Sequence, residues 1–282
     1  MELPMQIQKA VNRYEPIKEN GLTMWPVLVK EYDLLLIAKP AIDVMQQSLP
    51  VALMRIPLLS ALYRMDYEAV SSGKEPPGIF SRAMLALALS LRLGMGREPN
   101  ERAGMFRVAV ERDKPENLVR LLFTDADGKE KEIRPAQYQR LRQIIAAQNG
   151  IKLESDLANP DIVKARKAMS EANGIRLNAT PEDQISAIAA LSGVDETEID
   201  EWPMLKLERR STSYRRIIDY IVHGVGELSG ASWKNGNPTP HPFFERANDG
   251  GGLWSAIGER ADGVKIAPPE QAQVIAEQSK KL

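Results

Sequence analysis

Asp219, His223 and Glu227 recur at every fourth position, so on a helix they line one face. Two carboxylates beside an imidazole on successive turns are the chemistry of a raised histidine pKa or a shared metal ion. A metal or acid–base site, however, needs groups converging from more than one element, and no second element offers a partner in sequence. The same spacing arises on any solvated helix face. With two histidines and no cysteine in 282 residues, the chain is poor in the side chains that carry most nucleophilic, redox and transition-metal chemistry. The reading is therefore no catalytic residue, no cofactor and no metal.

Other chemistry-bearing runs have simpler explanations. Asp195-Glu196-Thr197-Glu198-Ile199-Asp200-Glu201 is acidic where a helix should begin, and negative side chains complement that end of the peptide dipoles. Asp125-Ala126-Asp127-Gly128 starts like a calcium loop, but its glycine comes early and no glutamate stands at the twelfth position, so it reads as a hairpin turn. Gly94-Met95-Gly96 and Gly224-Val225-Gly226 lack the third glycine and the preceding strand of a dinucleotide loop. Arg209, Arg210, Arg215 and Arg216 with Tyr214 could meet phosphates, yet Glu208 and Asp219 interleave with them and the net charge is −1. No nucleic-acid partner is expected.

The elements that would carry these groups are mainly helical. Tyr14–Ile17 and Leu22–Val27 flank Asn20-Gly21, a tight-turn pair, and predict a short hairpin. Trp25-Pro26 is expected to open a helix over Val27–Ile37, with Lys30, Glu31 and Asp33 on its polar side and Pro40 as its limit. Pro57 should begin a helix toward Ala69. Ile79–Leu93 is too short and too interrupted to cross a bilayer and belongs in a core. Within it, Met84–Leu93 alternates like a strand, but its Leu and Ala content and lack of β-branched residues favour a helix stopped by Gly94 and Gly96.

Met105–Glu111, Leu118–Thr124 and Lys129–Ile133 then read as a three-stranded meander. Pro135 starts a helix with the stripe Tyr138, Leu141, Ile144 and Ile145, closed by Asn149-Gly150. Another helix is expected between Asn159-Pro160 and Asn173-Gly174. Ser232–Pro242 has no period, and Asp249-Gly250-Gly251-Gly252 reads as a hinge. The fold class is mainly α with a small antiparallel β-meander (α+β), built of helical bundle-like modules. The expected segments are 1–104, 105–150, 151–229 and a loosely structured extension, 230–282.

The strongest signal is an interaction surface. Leu207, Tyr214, Ile218, Ile221, Val225 and Leu228 are spaced 7, 4, 3, 4 and 3 and form one apolar seam, which calls for another helix. Trp233, Phe243, Phe244 and Trp254 are candidate aromatic anchors for a partner in the C-terminal region.

Asn20-Gly21-Leu22-Thr23-Met24-Trp25-Pro26-Val27-Leu28-Val29-Lys30-Glu31-Tyr32 is similar to an entry hairpin and helix of tail assembly chaperones of tailed bacteriophages, from tail gene clusters of phages of Gram-positive bacteria. Thr180-Pro181-Glu182-Asp183, Ile188–Val194, Glu198-Ile199 and the helix from Pro203 to Val222 resemble that family's helical module. The resemblance implies a non-enzymatic protein of the host bacterial cytoplasm that binds the helical tape-measure protein and tail-tube subunits during tail morphogenesis, with self-association a further expectation and no membrane partner. The residues alone leave three other readings open: a tail or baseplate component retained in the virion, a phage-encoded effector that binds a host protein or small molecule, and an enzyme of undescribed type.

Overall fold

The computed structural model describes residues 3–125, 127–154, 181–229 and positions 161, 162, 165 and 242. The expected helix between residues 159 and 174, apart from positions 161, 162 and 165, and the hinge at 249–252 lie outside the described residues, as does the 230–282 extension apart from Pro242. The chain divides into two units, Met1–Thr212 and Ser213–Leu282. The expected mainly helical, α+β class is the class observed.

In the first unit, α1 (Met5–Asn12) leads into a hairpin of β1 (Ile17–Glu19) and β2 (Leu22–Met24), paired Ile17 with Met24 and Glu19 with Leu22. Asn20 and Gly21 take φ of 51° and 75°, the positive values that the Asn-Gly pair was expected to supply. A 3-10 turn (Val29–Glu31) feeds α2 (Tyr32–Asp43), followed by α3 (Leu58–Ser71), α4 (Ile79–Ser90) and α5 (Pro99–Ala103). The meander is β3 (Arg107–Val110), β4 (Leu118–Thr124) and β5 (Glu130–Ile133), antiparallel in the order β3-β4-β5. α6 (Pro135–Gln148), α7 (Pro181–Ser192), α8 (Glu196–Asp200) and the start of α9 (Met204–Leu228) complete the unit.

α4 is the centre of the core. Phe80, Ala83 and every residue from Leu85 to Ser90 are buried, with α2, α3, α5 and α6 packed around them. From Leu85 onward the helix is enclosed on all sides and needs no amphipathic stripe, which explains why its leucines alternate without forming a strand. Its first turn is held from outside: Asp66 on α3 accepts from the backbone N–H of Gly78 and Phe80, both at 3.1 Å. Desolvation raises the Asp66 pKa, opposed by these backbone hydrogen bonds and by Arg82. The meander closes one side through Leu121, Phe123 and Ile133, with Phe106 edge-on to Phe123 at 5.4 Å.

Three sequence expectations fail here. Trp25-Pro26 does not open a helix: residues 25–28 are in neither helix nor sheet apart from a bridge between Leu28 and Pro203, and the 3-10 turn begins only at Val29. Their backbone groups are satisfied at long range. Trp25 N–H donates to Ser90 O (2.7 Å), Val27 N–H to Asn149 Oδ1 (2.9 Å) and Val29 N–H to Trp202 O (2.9 Å), while Val27 O accepts from Met204 N–H (2.9 Å). The two Trp-Pro dipeptides thus flank one junction, and only the second precedes a helix. Pro40 does not limit α2 but sits inside it. The ring costs the Leu36 carbonyl its intrahelical donor, on a stretch of the helix where Leu36 and Ile37 are exposed.

Glu31 is the third. Expected on the polar side, it is buried and paired with Arg102 of α5, whose Nη1 donates to Glu31 Oε1 while Nε donates to Leu93 O at 2.9 Å. The side chains are 0% (Arg102) and 9% (Glu31) exposed.

Of the second unit, the described residues are the end of α9 from Ser213, then Ser229 and Pro242. Among the described residues, no helix is long and apolar enough to cross a membrane.

Candidate functional site: a groove and an apolar helix face

The 25 residues of α9 follow directly on Trp202-Pro203, and they serve the two units differently. In the first unit, Leu205 and Leu207 are buried, at 1% and 3% exposure. Leu207 was expected on a partner-binding seam; it is instead a core residue, because this end of the helix is committed to its own domain. Arg209 is likewise taken up locally. Its Nη2 donates to Asn12 Oδ1 at 2.8 Å, and its guanidinium lies 5.4 Å from the centre of the Tyr14 ring, so part of the arginine stripe is structural.

Beside this end of α9 lies a groove of about 440 Å³. One wall is Tyr32, Leu35, Leu36 and Lys39 of α2; the other is Met204, Leu207, Glu208, Ser211 and Thr212. Each wall follows the i, i+3, i+4, i+7 rule, so two helix stripes face across an apolar floor. Residues 149–152 and Gln184 close it.

The groove depends on a glycine. Gly150 adopts φ +72°, the expected left-handed cap of α6, and a Cβ placed on it would stand 2.0 Å from Glu208 Oε2 and 3.4 Å from Leu205 Cδ1. The Glu208 carboxylate therefore occupies the space a side chain would fill. Glu208 is exposed in part, but its carboxylate lies against the Gly150 backbone, and this local desolvation raises its pKa, with Arg209 and Lys152 pulling it down.

In the second unit, α9 presents Ile218 (44% exposed), Ile221 (56%), Val222 (60%), Val225 (55%) and Leu228 (90%). Monomeric proteins seldom expose so many large apolar side chains side by side. Ile218, Ile221 and Val225 are residues the sequence singled out, and Val222 joins them. Tyr214 is half-buried. Trp233, Phe243, Phe244 and Trp254 lie outside the described residues.

The structure does not assemble Asp219, His223 and Glu227 into a metal centre: among the described residues no group of three His, Cys, Asp or Glu side chains could hold an ion. The acidic run starts α8, where Asp195 accepts from Thr197 N–H at 2.9 Å and hydrogen bonds from Thr197 lower its pKa. Asp125 Oδ1 accepts from the N–H groups of Asp127 (3.0 Å) and Lys129 (2.8 Å), which makes the Asp-Gly segment a side-chain-braced turn. The groove and the Glu31–Arg102 pair escaped sequence reading. The stripe Tyr32, Leu35, Leu36, Lys39 was the available signal for the groove, but it only gains meaning once its facing stripe is known.

Comparison with protein family models, with curated proteins and with solved structures finds no match.

Proposed function

We propose that this chain is a non-enzymatic assembly protein that acts by covering apolar helical surfaces, and that its partners are the tape-measure and tail-tube proteins of a tailed bacteriophage in the host cytoplasm. The observation that carries the binding reading is the row Ile218, Ile221, Val222, Val225 and Leu228, all large, apolar and exposed on one stretch of α9. A tape-measure protein is a long helix with apolar stripes that aggregate when bare, and a helix with a matching stripe shields them by side-to-side packing. The phage assignment rests on the resemblance of residues 20–32 and 180–222 to tail assembly chaperones. Co-expression with the tape-measure and tube proteins of the same gene cluster should yield a soluble complex, and mass spectrometry of purified particles should find the chain absent. Stoichiometric presence in particles would favour a structural tail component instead.

A second reading is favoured by the groove: an effector that binds a small amphiphile between α2 and α9. Its apolar floor and the polar groups of Lys39, Lys152, Gln184 and Glu208 suit a ligand with one apolar and one polar end. A ligand-dependent rise in melting temperature, abolished by Leu36→Arg, would support it over the chaperone reading.

A further inference from the structure

The exposed face of α9 has the register of a two-stranded coil. Tyr214, Ile218, Ile221, Val225 and Leu228 are spaced 4, 3, 4 and 3, which assigns Ile218 and Val225 to position a and Tyr214, Ile221 and Leu228 to position d of successive heptads. Helical geometry at about 100° per residue gathers these five residues and Val222 within roughly a third of the circumference. The spacing is self-complementary, because a second copy presents the same knobs and holes.

Charge and shape select the direction of pairing. In a parallel pair, Arg210 at position g would face Arg215 at position e of the other copy, and both arginines are exposed. An antiparallel pair centred at His223 removes that clash. It layers Ile218 on Leu228 of the second copy and Ile221 on Val225. It also sets Val222 against Val222 and Gly224 against Gly224 across the two-fold axis. Two features of the face fit this arrangement. Val222 lies at position e, where a lone helix has no use for a 60% exposed valine. Among the described residues, Gly224 has nothing within 4 Å of its would-be Cβ on the flank that the second backbone must approach.

We propose that the Ile218–Leu228 face of α9 is closed by a second copy of this chain in an antiparallel pairing, which stores the client-binding surface until a client helix displaces the copy. The inference rests on the binding reading of this face, but the two fail separately, since the chain alone tests the pairing and co-expression tests the client.

The absence of cysteine provides a clean test. Full-length Ile221→Cys and Val225→Cys chains are oxidised separately and as an equimolar mixture. Antiparallel pairing brings residue 221 of one copy against 225 of the other, within the short Cα separation a disulfide tolerates. Mixed dimers should form several-fold faster than either homodimer. Equal cross-linking of each variant with itself would overturn the antiparallel arrangement, and no cross-linking in any sample would overturn the pairing. Sedimentation supplies the second measurement: the unsubstituted chain should be a dimer at tens of micromolar and Ile221→Asp a folded monomer with unchanged circular dichroism. A monomeric unsubstituted chain, or a dimer indifferent to Ile221→Asp, would overturn the proposal.

Discussion

Removing the Glu31 carboxylate should cost the first unit much of its stability. The Arg102 side chain is 0% exposed and its guanidinium has two anchors, Glu31 Oε1 and the Leu93 carbonyl, while its Nη2 has no hydrogen-bond partner among the described residues. In Glu31→Ala the cation keeps one neutral acceptor and cannot reach water without opening the contact between α5 and α4. Breaking one side of a buried ion pair costs about 3–5 kcal/mol, against roughly 5–15 kcal/mol for the whole stability of a typical domain. Urea unfolding followed by tryptophan fluorescence would read this, since Trp25 and Trp202 lie in the same unit. The double variant Glu31→Leu/Arg102→Met removes both charges and should recover most of the loss, because apolar replacements of buried pairs are often neutral or stabilising. A loss under about 1 kcal/mol for Glu31→Ala would match a solvated surface pair and refute the reasoning.

Other outcomes follow from the same geometry. Gly150→Ala should destabilise by about 1–3 kcal/mol, from the left-handed backbone and the clash with Glu208, and Glu208→Ala in that background should return part of the loss in thermal unfolding. Because the folded pKa of Glu208 is raised, its carboxylate opposes folding at neutral pH and ceases to do so once protonated. Glu208→Gln should therefore stabilise at pH 7, with the gain fading as pH falls through the folded and then the unfolded pKa; a gain that persists at pH 3 contradicts the desolvation account. Asp66→Ala should cost about 1–2 kcal/mol by uncapping α4, and Asp66→Asn less, since the amide keeps one acceptor. Asn149→Ala strands the buried Val27 N–H and should cost about 1–3 kcal/mol in the same assay.

What the sequence made legible was local. Asn20-Gly21, Asp127-Gly128 and Asn149-Gly150 each place a glycine at positive φ where a turn or cap demands it, and the hairpin, the meander and the end of α6 follow from them. The Leu/Ala run of α4 was read correctly from propensity against its own alternation. The failures share one cause, long-range pairing. Residues 25–29 look like a helix start, but Asn149 and Trp202 claim the N–H groups of Val27 and Val29 from more than a hundred residues away. Glu31 looks solvent-facing because its partner stands 71 residues on. The seam of α9 was legible as a pattern, whereas which end of it is buried depended on where the first domain stops. Leu207 and Ile218 are indistinguishable by spacing, and only packing separates them.

The central claim is that this chain works through the apolar face of α9 rather than through a reacting group. The most direct measurement is the amount of soluble tape-measure protein recovered when it is co-expressed with the unsubstituted chain or with Ile221→Asp/Val225→Asp. The unsubstituted chain should keep the tape-measure protein in solution and the doubly substituted chain, still folded, should leave it in the pellet. Equal recovery with both chains would contradict the claim.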